Sequence, residues 1–227
     1  TWDLRESLGD NVIIALFQDR LGRLWIASRN GGVCVFADGA CQAPPLPEGL
    51  EVTHARAFLQ AGDGSLWIGT EGHGLLHIQG DYYTRTTTQE GLSCVEVTDL
   101  LEDRDGNLWI GTRRNGLNRL GPGGPEVYGT SEGLSFPHVT SLLEDREGNL
   151  WIGTYAGGLN GLREAAFVTY GGRDGLSTEV VLSVLEERLG YVWIGTMQGL
   201  FRMHGEQVVP FAGQEQVDQI AVTGLYQ

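Results

Sequence analysis

The stretch EDRDGNLWIGT at residues 102–112 returns almost unchanged as EDREGNLWIGT at 144–154. One copy alone would be compatible with a turn between strands or with a metal loop. Weaker copies elsewhere decide between these. Tryptophan recurs at Trp25, Trp67, Trp109, Trp151 and Trp193, each step being 42 residues. The turn glycines Gly22, Gly64, Gly106, Gly148 and Gly190 keep the same step, as do Leu8, Leu50, Leu92, Leu134 and Leu176. A second glycine follows at Gly32, Gly74, Gly116, Gly158 and Gly199, one residue early in the last copy. Five copies in register at this period indicate a stacked or radial array of supersecondary units.

Each unit reads as four short strands. In the fourth, VTSLLED (139–145) is β-branched and apolar on both faces, REGN is a tight turn, and LWIGT (150–154) is the second strand. YAGG turns the chain again, LNGL (159–162) is the third strand and FVTY (167–170) the fourth. No stretch shows a helical period. Two-faced apolar strands need cover on both sides, which a radial array of small sheets provides. The expectation is therefore all-β: a β-propeller of four-stranded antiparallel blades, over about 11–46, 53–88, 95–130, 137–172 and 179–212. The five tryptophans are its framework, filling the space between neighbouring sheets. A parallel β-helix has shorter coils and no four-strand meander. Flanking single strands are expected at 1–5 and 219–227, which makes the whole a partial ring, completed by further chain or by self-association.

The 227 residues include 35 glycines, consistent with many turns. Asp and Glu total 29 against 15 cations, a net charge of −14 that makes nucleic acid a poor partner. All the cations are arginine, so lysine Schiff-base chemistry and a Walker-A loop are excluded. No apolar run reaches the roughly 20 residues that span a bilayer, so this segment does not insert in a membrane. Cys34 and Cys41 flank a short FADGA turn and are near enough for one bridge; with Cys94 they read more simply as buried thiols, cysteine being a small hydrophobe.

With period and signature in hand, the units resemble two-component regulator propeller repeats. The resemblance is carried by GLSCVEVTDLLEDRDGNLWIGTRRNGL (91–117), GLSFPHVTSLLEDREGNLWIGTYAGGL (133–159) and GLSTEVVLSVLEERLGYVWIGTMQGL (175–200). The first copies depart, with Ala27-Ser28 replacing Gly-Thr and no acidic pair before Gly64. The resemblance implies a ring of seven blades, placed in the periplasm or otherwise outside the cytoplasm as the sensor part of an inner-membrane receptor. It also implies a kinase or diguanylate cyclase output elsewhere and an oligosaccharide ligand.

Function should lie where the blades differ. The turns between second and third strands hold their Thr or Ser while the following residues change: Arg29 and Asn30, Glu71 and His73, Arg113, Arg114 and Asn115, Tyr155, Met197 and Gln198. Inter-blade links vary likewise at His54, Glu96, His138 and Val180, beside Phe136. This rim is the expected site for a polar ligand. Arg113 and Arg114 suit a carboxylate, Tyr155 and Phe136 a sugar ring, and Asn30, Asn115 and Gln198 paired polar contacts.

No cofactor, metal or catalytic group is expected. On a strand His73 and His77 are about 13 Å apart, too far for one zinc. Glu102-Asp103 and Glu144-Asp145 repeat with the framework, which argues for turn closure rather than acid–base work. Two rival functions compete with this reading: a glycoside hydrolase or lyase, and a docking scaffold for another subunit. The first finds no unmatched cluster of acids, and Asp105 abuts Gly106 whereas the Asp-box of sialidases sets its acid two residues before the glycine.

Overall fold

The computed structural model describes residues 8, 12–121, 124–163, 166–211 and 220–225. Its strands form five four-stranded antiparallel sheets, each a meander in chain order. The first holds β1 (Ile13–Gln18), β2 (Leu24–Ser28), β3 (Val33–Ala37) and β4 (Ala40–Gln42). The second holds β5 (Ala55–Gln60), β6 (Leu66–Thr70), β7 (Leu75–Gln79) and β8 (Tyr82–Thr86). The third is β9 (Val97–Glu102), β10 (Leu108–Thr112), β11 (Leu117–Gly121) and β12 (Gly124–Tyr128). The fourth is β13 (Val139–Glu144), β14 (Leu150–Thr154), β15 (Leu159–Arg163) and β16 (Ala166–Tyr170). The fifth is β17 (Val181–Glu186), β18 (Val192–Thr196), β19 (Gly199–His204) and β20 (Gln207–Pro210). These are propeller blades, as the repeat predicts. The chain divides into two compact units, 1–102 and 103–227. The flanking strand expected at 1–5 lies outside the described residues. Of the one expected at 219–227, residues 220–225 are described and carry no assigned strand.

The repeated eleven residues do three jobs at once. Asp103 closes the β9–β10 turn: its Oδ1 accepts the N–H groups of Asp105 and Asn107. Its Oδ2 accepts the indole N–H of Trp109 at 2.7 Å. Asp145 repeats the pattern with Glu147, Asn149 and Trp151, and Asp19 with Leu21, Arg23 and Trp25. Glu187 keeps only the indole bond, to Trp193 at 2.9 Å. The acid six residues before the tryptophan thus satisfies a polar group that the ring carries into the core. Leaving such a group unpaired costs about 1–3 kcal/mol. The second blade has Ala61 at that position, and Asp63 closes the turn through Ser65 instead.

The neighbouring residues of the stretch tie turn to turn. Within the first unit Glu102 accepts the N–H of Gly62 at 2.6 Å, and Gln60 that of Arg20 at 2.8 Å. Within the second, Glu144 accepts the N–H of Arg104 at 3.0 Å, while the Arg104 guanidinium reaches the carbonyl of Arg146 at 2.9 Å. The Arg146 guanidinium likewise meets the Arg188 carbonyl. Partly exposed pairs of this kind contribute about 0–1 kcal/mol each, so they orient blades more than they stabilise them.

Apolar packing between sheets supplies the stability. Trp25 is 2% exposed and lies with Val33, Val35, Ala55, Ile68 and Leu76 in the core of the first unit. Trp151, also 2% exposed, lies with Leu159, Val181, Ile194 and Phe201 in the second. Close approach needs the glycine of WIGT. A Cβ on Gly69 would stand 2.4 Å from Val97 Cγ1, and one on Gly153 2.7 Å from Val181 Cγ1. The first blade departs at both ends of this contact. Ala27 replaces the glycine, and Ala55 replaces the valine it meets, both fully buried in one cluster. The carbon added at Ala27 takes part of the space given up where valine becomes alanine at position 55. Val222 sits against Gly195 in the same way, and its N–H donates to the Thr196 carbonyl at 2.9 Å.

Cys34 and Cys41 are joined in a disulfide between β3 and β4, Cα to Cα 5.6 Å, contrary to the free-thiol reading; Cys94 is a buried thiol. The FADGA hairpin brings the two facing sides of adjacent strands together, a pairing that composition does not reveal.

The glycine contact makes a prediction. Gly69→Ala should destabilise by about 1–3 kcal/mol through overpacking. Adding Val97→Ala should recover part of that loss, recreating the Ala27–Ala55 pair at the cost of one buried carbon, as read by urea denaturation of the single and double variants.

Candidate functional site

The rim is built by backbone. After each second strand the Thr hydroxyl donates to the carbonyl of the turn's closing glycine: Thr70 to Gly74, Thr112 to Gly116, Thr154 to Gly158 and Thr196 to Gly199, all at 2.7–2.9 Å. The glycine N–H then donates across to the next link: Gly74 to Val95, Gly116 to Pro137 and Gly158 to Glu179. These bonds need a Thr and a glycine but no particular residue between them. That is why positions 71, 113, 155 and 197 vary so freely.

In the second unit the rim brings six predicted residues into neighbouring loops. The Arg113-Arg114-Asn115 turn, exposed, is tied by Gly116 to Pro137, at 2.8 Å, between Phe136 and His138. The His138 carbonyl accepts the Tyr155 N–H at 3.0 Å, and the two rings stack with centroids 5.0 Å apart and planes 15° off parallel. Tyr155 keeps 49% of its surface exposed. Phe136 is half-buried against the same turn, where a Cβ on Gly157 would lie 2.8 Å from the Phe136 Cβ. Asn160, buried on β15, fixes this link: its Oδ1 accepts the Ser135 N–H, and its amide nitrogen donates to the Ser135 hydroxyl. The sequence reading missed Asn160; its only signal was the equivalent Asn118, 42 residues earlier. Met197 and Gln198 are exposed on the next turn, with the Met197 N–H on Val180.

In the first unit Arg29, Asn30 and His73 are exposed on their turns. Glu71 is engaged: the Arg56 guanidinium binds its carboxylate, the Nε to Oε2 distance being 2.9 Å. Arg56 is the extra residue of a bulge between Ala55 and Ala57, which turns its side chain toward the rim. The His73 ring lies 6.1 Å from that of His54. Among the described residues no group of three or more His, Cys, Asp or Glu is placed to hold a metal ion.

The carboxylates elsewhere are set for structure. Burial alone would raise Asp19 and Asp103, but the hydrogen bonds each receives outweigh it: Trp25 and Arg23 act on Asp19, Asn107 and Trp109 on Asp103. Both stay below the ordinary aspartate value and so are anions at neutral pH, unfit as general acids. His77, stacked on Trp67 at 3.9 Å, is lowered by burial, partly offset by Asp63.

Fold and rim together define a propeller whose repeated residues serve the blades and whose variable residues share the loop ends. Within that class, the family model of the two component regulator propeller matches residues 7–30, 91–114 and 133–156. The resemblance drawn from the sequence is thereby borne out over those segments. An extracellular domain from B. thetaiotaomicron, described as that of the hybrid two component system BT3049, is 25% identical with a TM-score of 0.75, covering 88% of this chain and 28% of that one. That of BT4673, from the same organism, is 18% identical with a TM-score of 0.76, over 95% of this chain and 31% of that one. The chain thus spans less than a third of these structures. Virginiamycin B lyase from Staphylococcus aureus is 11% identical with a TM-score of 0.65, over 88% and 70% of the two chains, a likeness of fold alone. No curated protein matches the sequence. Among the described residues no helix is long and apolar enough to cross a membrane.

Because Asp19 and Asp103 are depressed on folding, the unfolded chain takes up protons first. Their stabilisation is complete above the ordinary carboxylate value of about 4 and is lost as pH falls through the folded values. The melting temperature should therefore hold from pH 7 to about 5 and fall below about 4. Asp103→Asn should be less stable at neutral pH and show a smaller acid drop.

Proposed function

We propose that the chain is the ligand-sensing propeller region of a bacterial signal-transduction receptor, lying outside the cytoplasm and binding a polar ligand, an oligosaccharide, on its loop face. The observation that carries this is the joined group in the second unit. Two exposed arginines stand on a turn hydrogen-bonded to the link that bears Phe136 and His138, and the His138 ring backs an exposed Tyr155. Arginine binds carboxylate in a two-point fashion, and a flat aromatic surface suits a pyranose face. In a chain of net charge −14 this is a local basic and aromatic place, favouring an acidic sugar. The receptor context rests on the matched repeats and on the kind of extracellular domains the chain is similar to. The Cys34–Cys41 disulfide agrees with an oxidising compartment.

The reading is of binding without catalysis. The carboxylates that recur through the blades are held by indoles and turn amides, and on the rim of the first unit Glu71 is bound by Arg56.

Native-state thermal shift against neutral and uronate-bearing oligosaccharides tests it, since a ligand at 100 times its Kd stabilises by about 2.7 kcal/mol. An acidic oligosaccharide should raise the melting temperature; Tyr155→Ala, and separately Arg113→Ala with Arg114→Ala, should each weaken its binding by about tenfold or more. No new reducing ends should form on incubation. Unchanged affinity in both variants would remove the rim from consideration. A thiol count on the denatured, unreduced protein should find one free group of the three cysteines, and reduction should lower stability by about 2–3 kcal/mol for a loop this short.

A further inference from the structure

The link between the first and second blades, APPLPEGLEVTH at 43–54, breaks the pattern of the other links. Those begin with a short 3-10 turn closed by an acid: Glu90 accepts the N–H of Thr87 at 2.7 Å, Glu132 that of Gly129 at 2.6 Å, and Asp174 that of Gly171 at 2.8 Å. The acid precedes Gly-Leu in each, as Glu48 precedes Gly49-Leu50 here. Three residues before Glu48 stands Pro45, which has no N–H to give. Glu48 has lost the partner its counterparts keep. The chain turns differently, with the Leu50 N–H on the Pro47 carbonyl at 3.1 Å and Gly49 at φ +78°. One residue after the leucine, Ser93 and Ser135 are replaced by Glu51. Glu48 and Glu51 are both exposed, and neither makes a hydrogen bond or ion pair with the described residues.

This link is tied to the first blade by the Gly32–Thr53 bridge and by Leu46, Leu50 and Val52 packed with Val33, and an open cleft of about 500 Å³ lies along the junction. Pro44, Leu46, Pro47 and Val52 line it, Gly32 and Val33 form its other side, and both glutamates border it. The volume falls in the range of small-molecule sites, and three prolines and the neighbouring disulfide at Cys41 hold the wall in one shape. An open, partly apolar cleft bordered by two unpaired carboxylates favours one kind of occupant. We infer that this cleft binds a small organic cation with an apolar or aromatic body, a site separate in place and in charge preference from the rim group of the second unit. The body lies against Pro44 and Leu46, and the ammonium stands between the carboxylates. No residue of the anion-binding proposal takes part, so either can fail without the other.

Calorimetry with benzylamine, benzoate and methylamine at low and moderate salt tests the inference on the intact chain. Benzylamine should bind, more weakly as salt rises; benzoate, with the same ring and opposite charge, and methylamine, with charge and no ring, should bind far less. Glu48→Gln with Glu51→Gln should weaken benzylamine by roughly five- to tenfold, the worth of two exposed ion pairs, with the melting temperature unchanged because neither side chain holds the fold. Gly32→Leu fills the cleft without backbone cost, since a Cβ there meets only Val52 O at 3.7 Å, and should abolish binding. Equal binding of benzoate, no binding of benzylamine, or binding untouched by both variants would overturn the assignment.

Discussion

The structure depends on one short bond, from the indole N–H of a framework tryptophan to a carboxylate six residues before it. The ring must be buried for its area to stabilise the space between sheets, yet it carries a donor that burial would strand. Asp19, Asp103, Asp145 and Glu187 resolve that conflict in four of the five blades. Three of them also gather the turn amides, so the hairpin and the core contact form together. The acid therefore cannot drift away from the turn, nor the turn from the tryptophan. The second blade, with Ala61, shows the alternative: its turn is closed by Asp63, and Trp67 stacks on His77 instead.

Blade contact is set by similar complementarity. A glycine on the second strand admits a valine from the neighbouring first strand, and where the glycine becomes Ala27 the valine becomes Ala55. The Ala27-Ser28 departure from the repeat is thus one half of a pair whose other half lies 28 residues on. Because threonine hydroxyls and glycine amides close the loop ends, the turn backbone needs no particular side chain between them. Variation costs the fold little, and recognition residues can accumulate.

Fold and blade identity were legible from the sequence, and so was the structural use of the repeated acids. The candidate site was legible only as a set of positions. Arg113, Arg114, Asn115, Phe136, His138 and Tyr155 could be named from self-comparison, but not that a Gly116 bond and a stacked His138–Tyr155 pair draw them into adjoining loops. Glu71 looked available and is held by Arg56, whose direction comes from a bulge. Asn160 was passed over because a buried asparagine on a strand has no mark of its own until its partner at Ser135 is seen.

The sequence by itself determined the period, the number of strands per unit and the turn chemistry, because each rests on residues within a few positions of one another and is written five times. The tertiary structure alone decided which variable residues meet, that Cys34 and Cys41 are bonded, and that Arg56 holds Glu71. Those outcomes depend on contacts between strands and links whose partners lie apart in the chain and occur once, so repetition could not announce them.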